Sequence, residues 1–197
     1  LTNNIVKSHR EIREFIWDRE GNRGYEIGGR TVGLLGYGNM GKAFAQRLKP
    51  FGCEILAYDK YKSNFTDDIV KESTLEEIQQ RADVFSIHTP LTKETKGLVN
   101  SGFLSAFEKP IWLLNTARGE IIPVKDLLDV LNSGKILGAA LDVLEKEKMD
   151  KMTSSEMTLY NSLFEKHNVI LTPHVAGWSF ESYNRINEVL VDKIGDL

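Results

Sequence analysis

The chain has 197 residues, of which 41% are hydrophobic and 27% charged, a composition typical of a globular domain that can bury its own core. Its formal net charge of −3 gives no electrostatic reason to expect nucleic acid or an anionic membrane as a partner. Cys53 is the only cysteine, which excludes an internal disulfide and fits a reducing, cytoplasmic location. No apolar run approaches the roughly 18 residues needed to span a bilayer, and no spacing of ligand residues indicates a metal site.

The first 20 residues lack the alternation of a strand and carry apolar positions such as Ile5, Ile12 and Trp17 among charged ones. This pattern predicts one or two helical segments. The helical character ends before the glycine-containing break at residues 21–24.

From Thr31 onward, short apolar runs are each followed by a stretch with helical spacing, which is the pattern of βα units in a parallel sheet. The predicted strands cover residues 31–36, 54–59, 83–88, 111–116, 136–143 and 168–173. The predicted helices cover residues 39–49, 74–81, 100–107, 123–133, 155–165 and 179–196. Because buried parallel strands are apolar on both faces, as these runs are, the sequence predicts an α/β fold with one doubly wound parallel sheet of Rossmann type.

The first predicted strand leads directly into the segment Gly36-Tyr37-Gly38-Asn39-Met40-Gly41, which opens the next helix. In such a loop Gly36 permits the tight turn, Gly38 lets the backbone approach a pyrophosphate, and Gly41 allows the helix to pack closely on the strand. The helix N-terminus, at Asn39 and Met40, offers free N–H groups and a partial positive charge to phosphates. Alone, this glycine pattern suits an ordinary turn equally well, but between a strand and a helix it predicts a dinucleotide site.

Asp59 ends the second predicted strand, 18 residues after Gly41. A carboxylate at this place can accept both hydroxyls of the adenosine ribose and would repel a 2′-phosphate, so it favours NAD over NADP. Lys60 and Lys62 follow closely and would weaken that preference. The alternative is that Asp59 caps a turn.

Three further segments lie at the carboxyl ends of later predicted strands, where open α/β sheets bind their ligands. They are Asn115–Gly119, Leu141–Val143 with the nearby Glu145 and Glu147, and Thr172–Gly177. The guanidinium of Arg118 is suited to hold a carboxylate and to polarise the carbonyl of a 2-oxo acid. The imidazole of His174 is suited to move a proton near neutral pH as hydride reaches the carbonyl carbon. Either residue alone would be an ordinary surface residue, whereas their combination at successive strand ends favours a catalytic site.

The segments GYGNMG, YD, HTPLTKETKGLVN, LLNTARGEII, GAALDV and ILTPHVAG resemble, in order and spacing, those of the D-2-hydroxyacid dehydrogenase family. The resemblance covers essentially the whole chain, and NTARG and TPH are specific to that family. It implies an NAD-dependent oxidoreductase whose catalytic trio is Arg118, a glutamate and His174. The cofactor contacts that it implies come from Asn39, Met40, Asp59, Thr89, Pro90, Thr116, Ala117, Arg118, Asp142, His174 and Gly177, with Asp142 at the nicotinamide carboxamide.

The identity of the glutamate stays open between two positions. The family places it five residues after the aspartate and before a proline, which here indicates Glu147. Lys148 replaces that proline, and the stretch up to His174 is longer than usual, so a shift of register would assign the role to Glu145. The chosen glutamate would orient the imidazole and stabilise its charged form.

The resemblance also implies a substrate lobe, built from an N-terminal segment and a short C-terminal return, that is absent from this chain. Residues 1–23 are then a helical segment for interdomain or dimer contacts, residues 24–178 the dinucleotide-binding domain, and residues 179–197 the helix leading back to that lobe. We therefore expect the chain to bind NAD but to be inactive alone, because the lobe closes the cleft. We also expect a homodimer through the cofactor domain.

Within the family, the overall sequence character of the segments HTPLTKETKG and TPHVAGWS favours 3-phosphoglycerate as substrate. Its oxidation would supply serine biosynthesis. Glyoxylate or hydroxypyruvate reductase and D-lactate dehydrogenase activities are the alternatives. Two other classes are an NAD-sensing scaffold like the C-terminal-binding-protein corepressors and an NAD-using hydrolase resembling adenosylhomocysteinase. The Arg118 and His174 segments count against the hydrolase. The expected partner of the enzyme is a small 2-hydroxy or 2-oxo acid.

Overall fold

Seven parallel strands form one sheet in the computed structural model, which describes residues 1–195. The strands are β1 (Thr31–Leu35), β2 (Glu54–Tyr58), β3 (Lys71–Glu72), β4 (Val84–Ile87), β5 (Ile111–Asn115), β6 (Ile136–Leu141) and β7 (Val169–Leu171). They lie in the order β3-β2-β1-β4-β5-β6-β7. The predicted fold class and all six predicted strands are confirmed. The prediction missed β3, because a two-residue polar strand at the sheet edge carries no hydrophobic periodicity.

Seven α-helices accompany the sheet in the described part of the chain. They are α1 (Ile5–Arg13), α2 (Asn39–Leu48), α3 (Leu75–Arg81), α4 (Ser101–Ser105), α5 (Val124–Asn132), α6 (Ser154–Phe164) and α7 (Phe180–Gly195). The helices predicted from residue 39 onward are confirmed to within a few residues, while position 196 lies outside the described residues. The prediction of helix up to residue 20 was wrong beyond Arg13, because Phe15 adopts a left-handed conformation with φ 62° that ends the helix.

The apolar side chains of the strands pack into two separate cores, one on each face of the sheet. In β1, Val32 and Leu34 belong to the core that includes Leu48 of α2, whereas Leu35 points into the core that includes Leu127 of α5. Successive side chains of a strand point to opposite faces, so both faces of β1 must be covered by helices. The sheet is therefore buried in its centre and open to ligands at its strand ends.

The strand order creates a crevice at one place on the carboxyl edge. From β1 the chain runs outward through β2 to β3, and it then returns to form β4 on the other side of β1. The loops that follow β1 and β4 therefore leave the sheet in opposite directions, which opens a crevice between them. Because all strands are parallel, the segments that follow β5, β6 and β7 lie along this same edge.

Within residues 1–195, no helix combines the length and the apolar character needed to cross a membrane. The same residues contain no cluster of three or more histidine, cysteine, aspartate or glutamate side chains that could hold a metal ion.

Candidate active site

The glycine loop after β1 is packed too tightly for side chains at two of its three glycines. Gly36 has φ +98°, and a Cβ atom there would lie 2.9 Å from the backbone of His88. A Cβ atom on Gly41 would lie 2.3 Å from the carbonyl oxygen of Gly36. A Cβ atom on Gly38 would meet no atom within 4 Å. The loop therefore keeps free space next to Gly38, on the side where a ligand can approach the backbone.

The N-terminus of α2 faces this free space. Gly38 is the residue before the helix, and the N–H of Lys42 makes the first intrahelical bond to its carbonyl oxygen, at 3.0 Å. The N–H groups of Asn39, Met40 and Gly41 precede that bond and have no intrahelical acceptor. Together with the helix dipole, they form a site suited to a phosphate group.

A cavity of about 350 Å³ opens beside the loop, and we call it the switch-point cavity. It is lined by Leu35, Gly36, Gly38, Tyr58, Asp59, Lys60, Tyr61, Leu75, His88, Thr89, Pro90, Thr92, Glu94, Thr95 and Leu98. The buried hydroxyl of Thr89 finds no hydrogen-bond partner among the described residues. Since an unsatisfied buried hydroxyl is costly, this side chain is suited to bind a ligand in the cavity.

Asp59 borders the switch-point cavity and also holds the backbone of the adjacent loops in place. Its carboxylate accepts a hydrogen bond from the N–H of Tyr37 at 2.9 Å and one from the N–H of Tyr61 at 3.0 Å. The turn-capping role considered from the sequence is thus present. It is compatible with ligand binding, because each carboxylate oxygen has a second lone pair available.

His88 supports the wall of the cavity as a neutral residue. Burial lowers the pKa of His88 from 6.5 to about 4. Its Nε2 atom lies 2.9 Å from the Ser86 hydroxyl, and its ring packs on Phe44 with 5.1 Å between centroids. The residue is therefore uncharged at neutral pH and acts in packing rather than in proton transfer.

The turn after β5 is held by its buried first residue. The Asn115 side chain accepts from the N–H of Ala117 at 3.0 Å and donates to the carbonyl oxygen of Arg118, also at 3.0 Å. Thr116 and Arg118 are exposed at this turn. The Arg118 guanidinium donates through Nη1 to the Ala117 carbonyl at 2.6 Å and has no carboxylate partner among residues 1–195. Its positive charge is therefore available to an anionic ligand.

Asp142, at the end of β6, anchors the loop that follows β7. Its buried carboxylate accepts hydrogen bonds from the Thr172 hydroxyl at 2.6 Å, the Val175 N–H at 2.8 Å and the Ala176 N–H at 2.8 Å. Burial alone would raise the pKa of Asp142, but these hydrogen bonds outweigh it and lower the pKa below 3.8. The residue expected at the nicotinamide carboxamide is thus already bonded to the histidine loop.

We expect Asp142→Asn to lower the free energy of unfolding by about 1–3 kcal/mol at pH 7, because its amide group would leave one buried N–H without an acceptor. The folded-state pKa of Asp142 lies below its ordinary value of 3.8, so the stabilisation is complete above that value. It is lost as the pH falls through the folded-state pKa, and the difference between the two proteins shrinks there. Denaturant unfolding at pH 7 and pH 3 measures both effects, with the exposed Asp129→Asn as control. Equal stability at pH 7 would contradict the anchoring role.

The anchored loop presents His174 to one particular glutamate. His174 has φ 58°, and its N–H donates to the Asp142 carbonyl oxygen at 2.7 Å. Its Nδ1 atom lies 3.1 Å from Oε1 of Glu147. Glu145 turns away and accepts from the N–H of Val124 at the start of α5, at 2.9 Å. Of the two candidate glutamates, Glu147 therefore pairs with the histidine, which leaves Nε2 free for proton transfer.

The pair borders a second cavity, of about 520 Å³, whose wall includes Glu147, His174 and the apolar side chains of Leu144, Phe164 and Leu171. Arg118 and His174 follow β5 and β7, which are separated by β6, so the two strand ends are roughly 10 Å apart. The structure does not bring these two side chains into contact with each other. Arg118 does not line this second cavity.

One contact at the switch-point cavity was not predicted from the sequence. Lys60 forms an ion pair with Glu94, which lies 34 positions further along the chain. No local pattern connects two such residues, because only the return of the chain from β3 to β4 brings their loops together.

A doubly wound sheet with a helix N-terminus suited to phosphate and a carboxylate at its switch point is typical of dinucleotide-binding domains. The sequence profile described as "D-isomer specific 2-hydroxyacid dehydrogenase, NAD binding domain" matches residues 1–176. The chain belongs to this family, and the predicted family and the predicted cofactor, NAD, are confirmed.

Three known proteins illustrate the relationship. The glyoxylate reductase of Thermofilum pendens is 35% identical over 196 residues, which cover 96% of this chain and 56% of that protein. The D-3-phosphoglycerate dehydrogenase of Bacillus subtilis is 35% identical over 187 residues, which cover 92% of this chain and 33% of that protein. The structure of D-lactate dehydrogenase from Aquifex aeolicus, complexed with NAD and lactic acid, matches with a TM-score of 0.87 and 28% identity over 99% of this chain and 61% of that chain. The chain thus spans about half the length of several of its relatives.

Proposed function

We propose that the protein transfers hydride between NAD and a small D-2-hydroxy acid, with Arg118, Glu147 and His174 as its catalytic residues. The contact between Nδ1 of His174 and Glu147 carries this proposal. A carboxylate on one imidazole nitrogen orients the ring and leaves the other nitrogen to exchange a proton with the substrate.

When bound, the nicotinamide would supply a hydride for the carbonyl carbon in the direction of reduction. His174 gives the proton on Nε2 to the carbonyl oxygen, and Glu147 holds the ring in place. Arg118 binds the substrate carboxylate and draws electron density from the carbonyl through its charge. In the direction of oxidation, the neutral imidazole takes the hydroxyl proton. The reactions differ only in direction, so the same three residues serve both.

For the cofactor, we propose that the adenosine end occupies the switch-point cavity. Asp59 would accept from the ribose hydroxyls, and the N–H groups of Asn39 and Met40 would bind the pyrophosphate. The unpartnered Thr89 hydroxyl and the open space beside Gly38 support this placement. The remaining proposed contacts are Pro90 near the adenosine, and Thr116, Ala117, Arg118, Asp142, His174 and Gly177 toward the nicotinamide.

Two glycine substitutions separate folding from cofactor binding. We expect Gly38→Ala to leave the melting temperature unchanged and to raise the Kd for NADH by at least about tenfold, because its methyl group would enter the pyrophosphate space. We expect Gly41→Ala to lower the free energy of unfolding by about 1–3 kcal/mol, because its methyl group meets the backbone of Gly36. Fluorescence titration with NADH and thermal unfolding measure these effects. Unchanged NADH binding by Gly38→Ala would contradict the proposed cofactor site.

As the particular substrate we propose 3-phosphoglycerate, with its oxidation serving serine biosynthesis. The similarity to the Bacillus subtilis D-3-phosphoglycerate dehydrogenase supports it, although the glyoxylate reductase relative is equally similar, with 35% identity in both cases. An NADH assay of the full-length enzyme with 3-phosphohydroxypyruvate, glyoxylate, hydroxypyruvate and pyruvate decides among these substrates. We expect the highest kcat/KM with 3-phosphohydroxypyruvate. Turnover of none of the four would contradict the proposed reaction.

We further propose that the protein is a cytoplasmic homodimer. The exposed apolar residues of the first segment support a contact between copies, since Ile5 is 66% and Trp17 85% exposed. Light scattering measures the oligomeric state, and a monomer would contradict this part of the proposal.

A further inference from the structure

The loops on the two sides of the switch-point cavity are joined by a pair of opposite charges. Lys60 directly follows Asp59 after β2, and Glu94 lies in the loop after β4. The Nζ atom of Lys60 is 2.6 Å from Oε2 of Glu94, and the Tyr61 hydroxyl donates to the same oxygen at 3.1 Å. All four residues line the switch-point cavity. The bridge therefore crosses the rim of the cavity at the place where Asp59 is held.

The ion pair between Lys60 and Glu94 determines which charged groups a ligand meets at that rim. Hydrogen bonds from Lys60 and Tyr61 lower the pKa of Glu94, and the hydrogen bond to Glu94 raises the pKa of Lys60. Both groups are therefore charged at neutral pH. Glu94 adds a second negative charge to that of Asp59. It also binds the ammonium group of Lys60, which would otherwise lie free beside the cavity.

A lysine immediately after the ribose-binding carboxylate is a potential ligand for a 2′-phosphate, which carries negative charge and accepts hydrogen bonds. Lys62, the other nearby lysine, donates to the carbonyl oxygen of Tyr37 at 3.0 Å and is thus also engaged. Glu94 is the acceptor that engages the Lys60 ammonium group at this rim.

We propose that Glu94 is a specificity-determining residue, which favours NAD over NADP because it holds Lys60 away from the 2′-phosphate and repels that group with its own charge. This inference rests on the proposed position of the adenosine end in the switch-point cavity. Asp59 alone then does not explain the choice of cofactor. If Lys60 were released from Glu94, its positive charge would offset the negative charge of Asp59.

The experiment compares the affinities of the unchanged protein and three variants for NADH and NADPH, measured by fluorescence titration in low salt. We expect Glu94→Gln to lower the Kd for NADPH about five- to tenfold and to change the Kd for NADH less than about twofold, since the pair is exposed and its contribution modest. The double variant Glu94→Gln with Lys60→Gln should lose most of this gain, because the phosphate ligand is then missing. Glu108→Gln, an exposed glutamate after α4, is the matched control and should change neither affinity.

Two results would overturn the inference. One is an unchanged Kd for NADPH in Glu94→Gln while NADH still binds. The other is a gain in NADPH affinity that persists in the double variant, because Lys60 would then have no part in it. A failure of the unchanged protein to bind NADH would instead refute the proposed cofactor site.

Discussion

Replacing His174 with alanine should lower kcat of the full-length enzyme by about 100- to 10,000-fold, the range found when a general acid or base is removed. The Kd for NADH should change less than about threefold, since the glycine loop and Asp59 are distant from this change. The physical reason is that His174 contacts Glu147 and is the only histidine among residues 1–195 that lines the second cavity. Stopped-flow measurement of NADH oxidation, together with fluorescence titration, separates the two quantities.

The matched control is His167→Ala. This histidine precedes β7, whereas His174 follows it, so the two lie at opposite ends of one strand. Its replacement should leave kcat unchanged. If His174→Ala retained its activity, the proposed acid–base role would be wrong. If instead the unchanged protein bound NADH but reduced none of the four 2-oxo acids, a non-catalytic scaffold that senses NAD would become the better interpretation.

Replacing Arg118 with alanine should lower kcat/KM by about 30- to 1000-fold, as expected when a charged partner of a bound carboxylate is lost. Arg118→Lys should recover a small part of this loss, because an ammonium group keeps the charge but not the bidentate geometry. The guanidinium has no competing carboxylate among residues 1–195, so its charge is available for the substrate. Both kcat and KM should be affected, because the same group binds the carboxylate and polarises the carbonyl.

The control for this series is Arg47→Ala on α2, whose guanidinium donates to the carbonyl oxygen of Ala43 on its own helix at 2.8 Å. It should have the activity of the unchanged enzyme. Should Arg118→Ala and Arg47→Ala behave alike in steady-state kinetics, Arg118 would have no place in the reaction.

Local features of this fold were predictable from the sequence, because their physical cause lies in neighbouring residues. The Gly36–Gly41 turn, for example, needs glycines because backbone segments pack directly against each other there. Its position between a predicted strand and a predicted helix was enough to identify it. The six apolar strands were likewise found from their composition. The two-residue strand β3 was missed because its residues are polar and pair only through the sheet edge.

Relations between distant residues were not predictable in the same way. Glu145 and Glu147 are two positions apart in one loop, yet one caps α5 and the other contacts His174. The sequence favoured Glu147, but only the path of the loop after β6 separates the two roles. The bond between Asp142 and the loop after β7, like the pair formed by Lys60 and Glu94, depends on strand order, which no local periodicity encodes.

A crystal structure of the full-length enzyme with NADH and an unreactive 2-oxo acid analogue tests the central proposal most directly. We predict that the nicotinamide ring lies at the carboxyl edge of β5–β7, with the carboxylate of the analogue on the Arg118 guanidinium and its carbonyl oxygen within hydrogen-bond distance of His174 Nε2. A complex in which the analogue contacts neither residue, or in which the ring lies away from this edge, would contradict it.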